Sequence, residues 1–300
     1  RRLGLEGRAR MACVCKAVGG AVTIDLEMDP NDLPEPPPPA DAVDLGEETG
    51  IKNVVIIGNG TSGMAAADEV RRLSPTCKID VIARENHPFY NRMGIGRLLY
   101  GRTGLDDLYL LASDWYEKKN VDVWLNTQAV DVDRENKSVI LGTGESLPYD
   151  KLIMAQGSSA TKPPADGNDI AGCFVLREAA DAQAIRAWRQ EMKCTRAVVQ
   201  GGGVLGIEAA DALRQLNLET TIIQRSDRLM NRELDERGSA LLQQYLENIG
   251  IQVITGASVK AVQGSERVEG IELTNGDVIP ADIFVVCAGV SANKQLAEKI

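Results

Sequence analysis

An apolar run that ends in a glycine-rich turn occurs twice in this chain, about 140 residues apart. The first copy, VVIIGNGTSG (54–63), places glycines at 58, 60 and 63, and the second, AVVQGGGVLG (197–206), places them at 201, 203 and 206. A continuous apolar run is typical of a parallel strand that is buried on both faces of its sheet. The repeat therefore predicts two α/β units of the same kind.

Both turns stand in the sequence context of a strand–helix–strand unit. The predicted elements are NVVII (53–57), SGMAAADEVRRL (62–73) and KIDVIA (78–83) around the first turn, and RAVVQ (196–200), LGIEAADALRQL (205–216) and ETTII (219–223) around the second. In such a unit the first glycine permits a tight turn, the second lets the backbone approach a pyrophosphate, and the third lets the helix pack on the strand. Glu85 follows Gly63 by 22 residues, where a carboxylate accepts hydrogen bonds from ribose hydroxyls. Two dinucleotide sites are therefore predicted; the alternative for either turn is a glycine-rich loop that binds nothing.

The rest of the chain predicts how these units are arranged. Residues 29–50 are rich in proline and acidic residues and are predicted to be a linker, so that the folded part begins near Ile51. Short strands are predicted at 120–141 and 258–290, where Asn275-Gly276 is a strong hairpin signal. The predicted fold class is α/β, with two Rossmann-like three-layer domains, the second inserted in the first, each with an antiparallel strand insert. The predicted boundaries are 1–50 for the N-terminal segment and linker, 51–163 and a truncated 286–300 for the first domain, and 164–285 for the second.

Charge and composition exclude several classes of function. With 43 acidic and 33 basic residues, the net charge of -10 provides no sequence-wide basic surface, so a nucleic-acid partner is not expected. The six cysteines are scattered except for Cys13 and Cys15, which favours a reducing, cytoplasmic location. No apolar run approaches the roughly 20 residues that span a bilayer, so no membrane association is expected. His87 is the single histidine, so neither a histidine metal site nor a Ser-His-Asp triad is predicted.

The combination of motifs resembles the FAD-dependent pyridine nucleotide-disulfide oxidoreductase superfamily over residues 51–300. The resemblance lies in the two GxGxxG turns, Glu85, AQG at 155–157 and CAG at 287–289. Within that superfamily, HPFYNRMGIGRLLYG (87–101) is similar to the flavin-contacting segment of one branch. That branch contains the NADH:rubredoxin reductases and the flavin portion of assimilatory nitrite reductase large subunits.

This resemblance implies FAD at the first turn and a nicotinamide dinucleotide, NAD(P)H, at the second. The FAD contacts that it implies are Gly58, Gly60, Thr61, Ser62, Gly63, Glu85, Asn91, Arg92, Val130, Gln156 and Gly157. The nicotinamide nucleotide contacts that it implies are Gly201, Gly203, Val204, Leu205 and Gly206, and Gly289 is also assigned to cofactor binding. Glu208 matches an acid that lies near the meeting point of nicotinamide and flavin, and it is the one candidate catalytic residue. The alternative for Glu208 is an ordinary acid in the first turn of a helix.

The implied function is an FAD-dependent oxidoreductase that passes electrons from NAD(P)H through flavin to a protein or metal-centre acceptor of the rubredoxin, ferredoxin or nitrite reductase type. The alternative is a non-catalytic redox sensor or scaffold subunit with a decayed flavin site. In the family that this chain resembles, disulfide reductases have a cysteine pair near the flavin, and peroxide- or oxygen-reducing members have a single cysteine in the region of residues 91–97. Residues 91–97 contain no cysteine here, which disfavours disulfide and peroxide reduction. The chain also stops at Ile300, before the third flavin motif and the interface domain of the family. We therefore expect a fragment of a protein that forms a homo-oligomer through an absent C-terminal domain.

The end of the second strand in the second unit predicts which nicotinamide nucleotide is used. It reads IIQRSDR, with neutral Gln224 and then Arg225 where an NAD-specific site has a carboxylate. A ribose 2′-phosphate carries about -1.5 to -2 charges by analogy with other phosphomonoesters, and Arg225 or Arg228 could bind it. NADPH is therefore expected to be accepted at least as well as NADH. The alternative is that Arg225 points to solvent and Gln224 binds the hydroxyls of NADH.

Overall fold

The computed structural model describes Glu47 and residues 49–300. Cys13, Cys15 and most of the predicted linker lie outside the described residues. The described strands are β1 (Asn53–Ile57), β2 (Lys78–Ile82), β3 (Val121–Trp124), β4 (Ala129–Asp133), β5 (Ser138–Leu141), β6 (Ser146–Pro148), β7 (Lys151–Met154), β8 (Ser158–Ala160), β9 (Cys173–Val175), β10 (Arg196–Gln200), β11 (Glu219–Ile223), β12 (Ile251–Ile254), β13 (Val259–Gln263), β14 (Gly270–Leu273), β15 (Val278–Pro280), β16 (Ile283–Val286) and β17 (Val290–Ala292).

The described α-helices are α1 (Thr61–Leu73), α2 (Ile95–Tyr100), α3 (Trp115–Lys118), α4 (Ala179–Glu191), α5 (Val204–Gln215), α6 (Glu236–Asn248) and α7 (Gln295–Lys299). Two 3-10 helices span Arg92–Gly94 and Asp106–Leu108. No helix of the described chain is long and apolar enough to span a membrane.

The described residues divide into two compact units. The first contains the residues up to Phe89, then Leu110–Gln156 and Lys294–Ile300; the second contains Tyr90–Tyr109 and Gly157–Asn293. The segment from Tyr90 to Tyr109 thus belongs to the second unit, although it lies within the first predicted domain by sequence. Whether the cofactor-binding domains have the boundaries given above stays a prediction.

The first unit is built on a four-stranded parallel sheet in the order β3-β2-β1-β7. Val55, Ile56 and Ile79 are fully buried, as expected for central parallel strands with both faces covered. Helix α1 connects β1 to β2, and its buried residues Met64 and Ala67 pack against the sheet. Strands β4, β5 and β6 form the predicted antiparallel insert. Strands β1 and β2 and helix α1 agree with the sequence prediction to within one residue at each end.

The second unit repeats this plan with one more strand in the sheet. Its parallel sheet has the order β12-β11-β10-β16-β9, and β13, β14 and β15 form the antiparallel insert. The predicted hairpin lies between β14 and β15, with Gly276 at φ +94°. Helix α2 packs in this unit against α4 and α5 through the buried side chains of Ile95, Leu98 and Leu99. The predicted α/β class with two Rossmann-like units is confirmed.

Candidate cofactor sites

Two of the three glycines in the first turn are required by the fold itself. Gly58 has φ +114°, and a Cβ atom there would lie 2.2 Å from the carbonyl oxygen of Ala155, the residue directly after β7, which pairs with β1. A Cβ atom on Gly63 would lie 1.7 Å from the carbonyl oxygen of Gly58. Both distances are far below van der Waals contact. A side chain at position 58 would push the turn away from the end of β7, and one at position 63 would push helix α1 away from the turn.

Gly60 differs from its two neighbours in the motif. Its backbone is extended, with φ -77° and ψ -174°, a conformation that any residue adopts. A Cβ atom on Gly60 would have no atom of the described chain within 4 Å. The fold therefore gives no reason for glycine here. The space beside Gly60 is open, and a side chain at this position would fill it.

The second turn has the same geometry. Gly201 has φ +120° and would place a Cβ atom 2.4 Å from the carbonyl oxygen of Cys287, and a Cβ atom on Gly206 would lie 1.9 Å from the carbonyl oxygen of Gly201. Gly203, at φ -88° and ψ -178°, again has nothing within 4 Å of its Cβ position. In both turns the packing thus demands the first and the last of the three fingerprint glycines but not the central one.

The first unit holds most of the FAD contacts implied by the resemblance. Thr61 and Ser62 are the exposed first residues of α1, so their backbone N–H groups face outward at the helix N-terminus. Glu85 lies three residues beyond β2, and its carbonyl oxygen accepts the N–H of Asn126 at 2.9 Å. Val130 is 40% exposed on β4.

The second unit holds the remaining members of that set. The side-chain oxygen of Asn91 accepts the N–H of Met93 at 3.0 Å and so caps the 3-10 helix. The guanidinium of Arg92 lies 5.1 Å from the centre of the Tyr90 ring and donates to its hydroxyl at 3.1 Å. Gly157 has φ +64°, which favours glycine. Gln156, the residue before it, belongs to the first unit.

The nicotinamide nucleotide contacts implied by sequence cluster around the start of α5 and the end of β11. Val204 begins α5 and is 47% exposed. Glu208 is exposed on the same helix, with its Cβ 4.0 Å from the Cβ position of Gly96 on α2. Gly289, at φ +109°, has open space around its Cβ position. Glu208 is the fifth residue of α5, which has no acidic residue in its first turn, so the alternative of a first-turn acid is wrong. Arg225 is exposed, and the roles of Glu208 and Arg225 stay predictions.

Sequence reasoning missed the residue in the middle of each GxG. Asn59 is 8% exposed and donates from Nδ2 to the carbonyl oxygen of His87 at 2.9 Å, which ties the first turn to the loop that follows β2. Gly202 lies so close to Leu229 that a Cβ atom would be 2.4 Å from the Leu229 Cδ2. The run of three glycines at 201–203, where the fingerprint needs only the outer two, was the available signal for Gly202.

The thiols of the second unit are unreactive by environment. Burial raises the pKa of the Cys287 thiol to about 12. Burial also raises the pKa of Cys173 to about 11, because the lowering by the Lys162 charge is smaller. The thiolate is the reactive form of cysteine, so neither side chain is a nucleophile near neutral pH. Among the described residues there is also no group of three or more His, Cys, Asp or Glu side chains that could hold a metal ion.

Comparison with known proteins matches these features to one family. The family described as pyridine nucleotide-disulphide oxidoreductase matches residues 52–300. Nitrite reductase [NAD(P)H] of Bacillus subtilis (strain 168) is 35% identical over 248 residues, which are 82% of this chain and 31% of that protein.

Solved structures agree with that match. The NAD-dependent persulfide reductase from A. fulgidus superposes with a TM-score of 0.77 at 33% identity, covering 82% of this chain and 47% of that chain. NADH:rubredoxin oxidoreductase from Clostridium acetobutylicum superposes with a TM-score of 0.68 at 28% identity, covering 83% and 61%. This chain therefore spans only part of the length of these proteins, from 31% to 61%.

These matches confirm the predicted resemblance, including its branch, and the prediction of an enzyme of the oxidoreductase class. They also confirm FAD and NAD(P)H as the cofactors, which fits the open space beside Gly60 and Gly203. The chain belongs to the pyridine nucleotide-disulphide oxidoreductase family.

Proposed function

We propose that this chain passes electrons from NAD(P)H, bound at the second glycine turn, through FAD, bound at the first, to a redox protein or metal-centre acceptor. The observation that carries the proposal is the open space at Gly60 and Gly203. Both central glycines have ordinary backbone angles and no neighbour within 4 Å of the Cβ position, which supports a ligand rather than the protein as the reason for a residue without a side chain.

The helices that follow the two turns support the same conclusion. Of the four described helices with twelve or more residues, α4 has a capping box formed by Glu178 and Asp181, and α6 is capped by Asp235. Helices α1 and α5 have no side-chain cap and no acidic residue in the first turn. Their N–H groups and the positive end of the helix dipole are left for an anion, as a pyrophosphate requires.

Flavin, when bound, accepts hydride from a nicotinamide and releases electrons singly or in pairs. The chain's own contribution is position: the glycine turns fix each pyrophosphate at a helix N-terminus. The high pKa values of Cys173 and Cys287 favour transfer from the flavin directly to the acceptor, without a redox thiol. The acceptor class follows the relatives, whose names specify nitrite, ferredoxin and rubredoxin. A cytoplasmic location and a homo-oligomer stay predictions.

Alanine substitutions at single glycines test this assignment. Gly60→Ala is expected to leave the circular dichroism spectrum and the melting temperature of the apoprotein unchanged, because its methyl group meets nothing. It is expected to weaken FAD binding by at least about tenfold, which corresponds to about 1.4 kcal/mol, because the methyl group occupies the place of the pyrophosphate. Gly203→Ala should leave FAD binding intact and weaken NADP+ and NAD+ binding by a similar factor.

Gly104→Ala is the matched control, since the nearest atom to its Cβ position is 3.5 Å away, at an ordinary contact distance. Dissociation constants measured by equilibrium dialysis of the full chain with each ligand decide the outcome. Unaltered FAD binding by Gly60→Ala would refute the assignment of the first turn.

A further inference from the structure

The chain passes between its two units four times. We call these places the crossings; they lie between Phe89 and Tyr90, Tyr109 and Leu110, Gln156 and Gly157, and Asn293 and Lys294. The first glycine turn (58–63) belongs to one unit and the second (201–206) to the other. If the two cofactors bind at these turns, the precision with which their reacting groups are held depends on the crossings.

On the side of the second unit, the crossings are joined in two pairs. Tyr90 and Tyr109 form an isolated antiparallel bridge. The N–H of Asn293 donates to the Gly157 carbonyl oxygen at 3.0 Å, and the Asn293 Oδ1 accepts the Ser159 hydroxyl at 2.7 Å. Each pair of crossings is thus closed by hydrogen bonds within the second unit.

The guanidinium of Arg177 is bound to the second of these pairs. Its Nε donates to the Ser158 carbonyl oxygen at 3.2 Å, and its Nη2 donates to the Ser158 hydroxyl at 2.9 Å. Ser158 begins β8 and directly follows the crossing at Gly157. Two donors fixed in one plane match the two acceptors of this single residue, a geometry that the ammonium of a lysine does not reproduce.

The backbone next to Arg177 is bound to the first pair. The Arg177 carbonyl oxygen accepts the Arg92 Nη1 at 3.4 Å, and the same Nη1 donates to the Tyr90 hydroxyl at 3.1 Å. That hydroxyl also accepts the N–H of Ala179 at 3.0 Å, and Tyr90 is only 4% exposed. Residues 177–179 therefore connect one pair of crossings to the other.

The backbone of Arg177 is itself fixed to helix α4. The Asp181 carboxylate accepts the N–H of Arg177 at 2.7 Å and that of Glu178 at 2.8 Å, as part of the capping box that begins the helix. Ala182 and Ile185 of this helix are fully buried in the core of the second unit. Arg177 therefore connects both pairs of crossings to a buried helix.

We propose that Arg177 is a positioning residue for hydride transfer: it restricts the motion of the crossings and so keeps the nicotinamide, bound at the second turn, at reacting distance from the flavin, bound at the first. In this step the C4–H bond of NAD(P)H breaks and the hydride joins N5 of the flavin with both electrons, so the nucleotide is oxidised and the flavin reduced. Such a transfer needs reacting atoms roughly 3–3.5 Å apart, and a misplacement of about 1 Å can cost about a hundredfold in rate. The proposal rests on the proposed function, because it requires both cofactors to bind as assigned.

Variants of Arg177 in the FAD-loaded full chain test this role. The readouts are hydrogen exchange of residues 157–161 by mass spectrometry, the dissociation constants of FAD, NADP+ and NAD+, and the rate of flavin reduction by saturating NADPH or NADH in rapid mixing. Arg177→Met keeps the side-chain stem but loses both hydrogen bonds to Ser158. Exchange should therefore accelerate and flavin reduction should slow, each by at least about tenfold, while all three dissociation constants change by less than about threefold.

Arg177→Lys keeps the charge without the fork and should fall between Arg177→Met and the wild type in both exchange and reduction rate. Arg189→Met is the matched control. Arg189 is another partly buried arginine of the second unit, in the last turn of α4, and its Nη2 donates to the Leu216 carbonyl oxygen at 2.9 Å. This variant should leave both readouts as in the wild type. If Arg177→Met does not fold, the same readouts on Arg177→Lys decide the question.

Flavin reduction at the wild-type rate in the Arg177 variants would overturn the proposal, and so would unchanged exchange at residues 157–161. Equal slowing in Arg189→Met would also overturn it, because the cause would then be a general loss of stability. A loss of nucleotide affinity as large as the loss of rate would instead make Arg177 a binding residue and refute the positioning role. A failure of the proposed function has a different signature: the wild type would bind no flavin or show no reduction, while exchange in the isolated chain would still respond to Arg177→Met.

Discussion

Removing the negative charge of Asp282 should destabilise the second unit by a calculable amount. Asp282 directly precedes β16, and its carboxylate accepts the N–H groups of Thr195 and Arg196 at 2.9 and 3.0 Å. It also accepts the Thr195 hydroxyl at 3.1 Å and the Arg196 guanidinium at 2.9 Å. The change Asp282→Asn keeps the shape of the side chain but replaces one acceptor oxygen by a donor NH2 group, so part of this network is lost.

The magnitude follows from the pKa of the carboxyl group. Burial by itself raises this pKa, but the hydrogen bonds from Arg196 and from the two backbone N–H groups outweigh burial and lower it from 3.8 to about 2. At 1.36 kcal/mol per pKa unit, the charge contributes roughly 1–2 kcal/mol to the free energy of unfolding, the lower figure allowing for solvent screening of the partly exposed pair. Asp282→Asn should therefore lower the melting temperature at pH 7 by roughly 2–8 °C.

The lowered pKa of Asp282 also predicts how the stability difference between the wild type and Asp282→Asn changes with pH. A carboxyl group whose pKa is lower in the folded state stabilises the fold fully above its unfolded pKa of 3.8, and this contribution is lost as the pH falls toward about 2. The difference between the wild type and Asp282→Asn should thus be largest at neutral pH and about half as large near pH 3. Asp169→Asn is the control, because Asp169 is 99% exposed and lies 3.9 Å from Lys162. Thermal unfolding followed by circular dichroism measures all three proteins; a deficit that does not shrink in acid would show that the reasoning about charge is wrong.

Three further predictions follow from the turns, the thiols and the nucleotide. Gly63→Ala and Gly206→Ala should fail to give stably folded protein, as judged by soluble yield and thermal unfolding, because each Cβ atom would lie within 2 Å of a backbone oxygen. Cys173 and Cys287 should be alkylated by iodoacetamide near pH 8 far more slowly than a free thiol, as measured by timed mass spectrometry, because partial burial raises the pKa of both thiols and keeps them protonated; rapid alkylation would contradict the raised pKa values. NADPH should reduce the bound flavin at least as fast as NADH in rapid-mixing experiments, and strong selectivity for NADH would contradict this.

The sequence predicted the elements whose boundaries are set by neighbouring residues. Strand β1 and helix α1 were predicted closely because the apolar run, the glycine turn and the Ser74-Pro75 pair that follows the helix lie close together in sequence. The two dinucleotide sites were predictable for the same reason, since the fingerprint glycines are neighbours in sequence, whereas FAD and NAD(P)H were implied by the family resemblance.

Contacts between distant residues were not predictable in this way. The apolar side chains of Ile95, Leu98 and Leu99 indicate a buried helix face, but apolar surface does not specify its partner, and the structure packs this helix against α4 and α5. The constraint on Gly202 comes from Leu229, 27 residues later, and Asp282 binds a backbone group 86 residues earlier. One chain without aligned relatives carries no signal for such pairs.

In both units a side-chain hydrogen bond connects the glycine turn to the loop after the second strand, but the side chain that makes it lies on the turn in one unit and on the loop in the other. Each nucleotide turn must be fixed to the loop after the second strand, since that loop carries the residues that face the ribose. In the first unit the connecting group is on the turn, because the Asn59 side chain donates to the His87 carbonyl oxygen. In the second unit it is on the loop, because the Gln224 side chain accepts from the Gly202 backbone, while the Leu229 side chain leaves no room for a side chain at position 202. Asn59 is buried and makes this hydrogen bond, and Leu229 fills the space beside Gly202, so a substitution of either middle residue should loosen its turn.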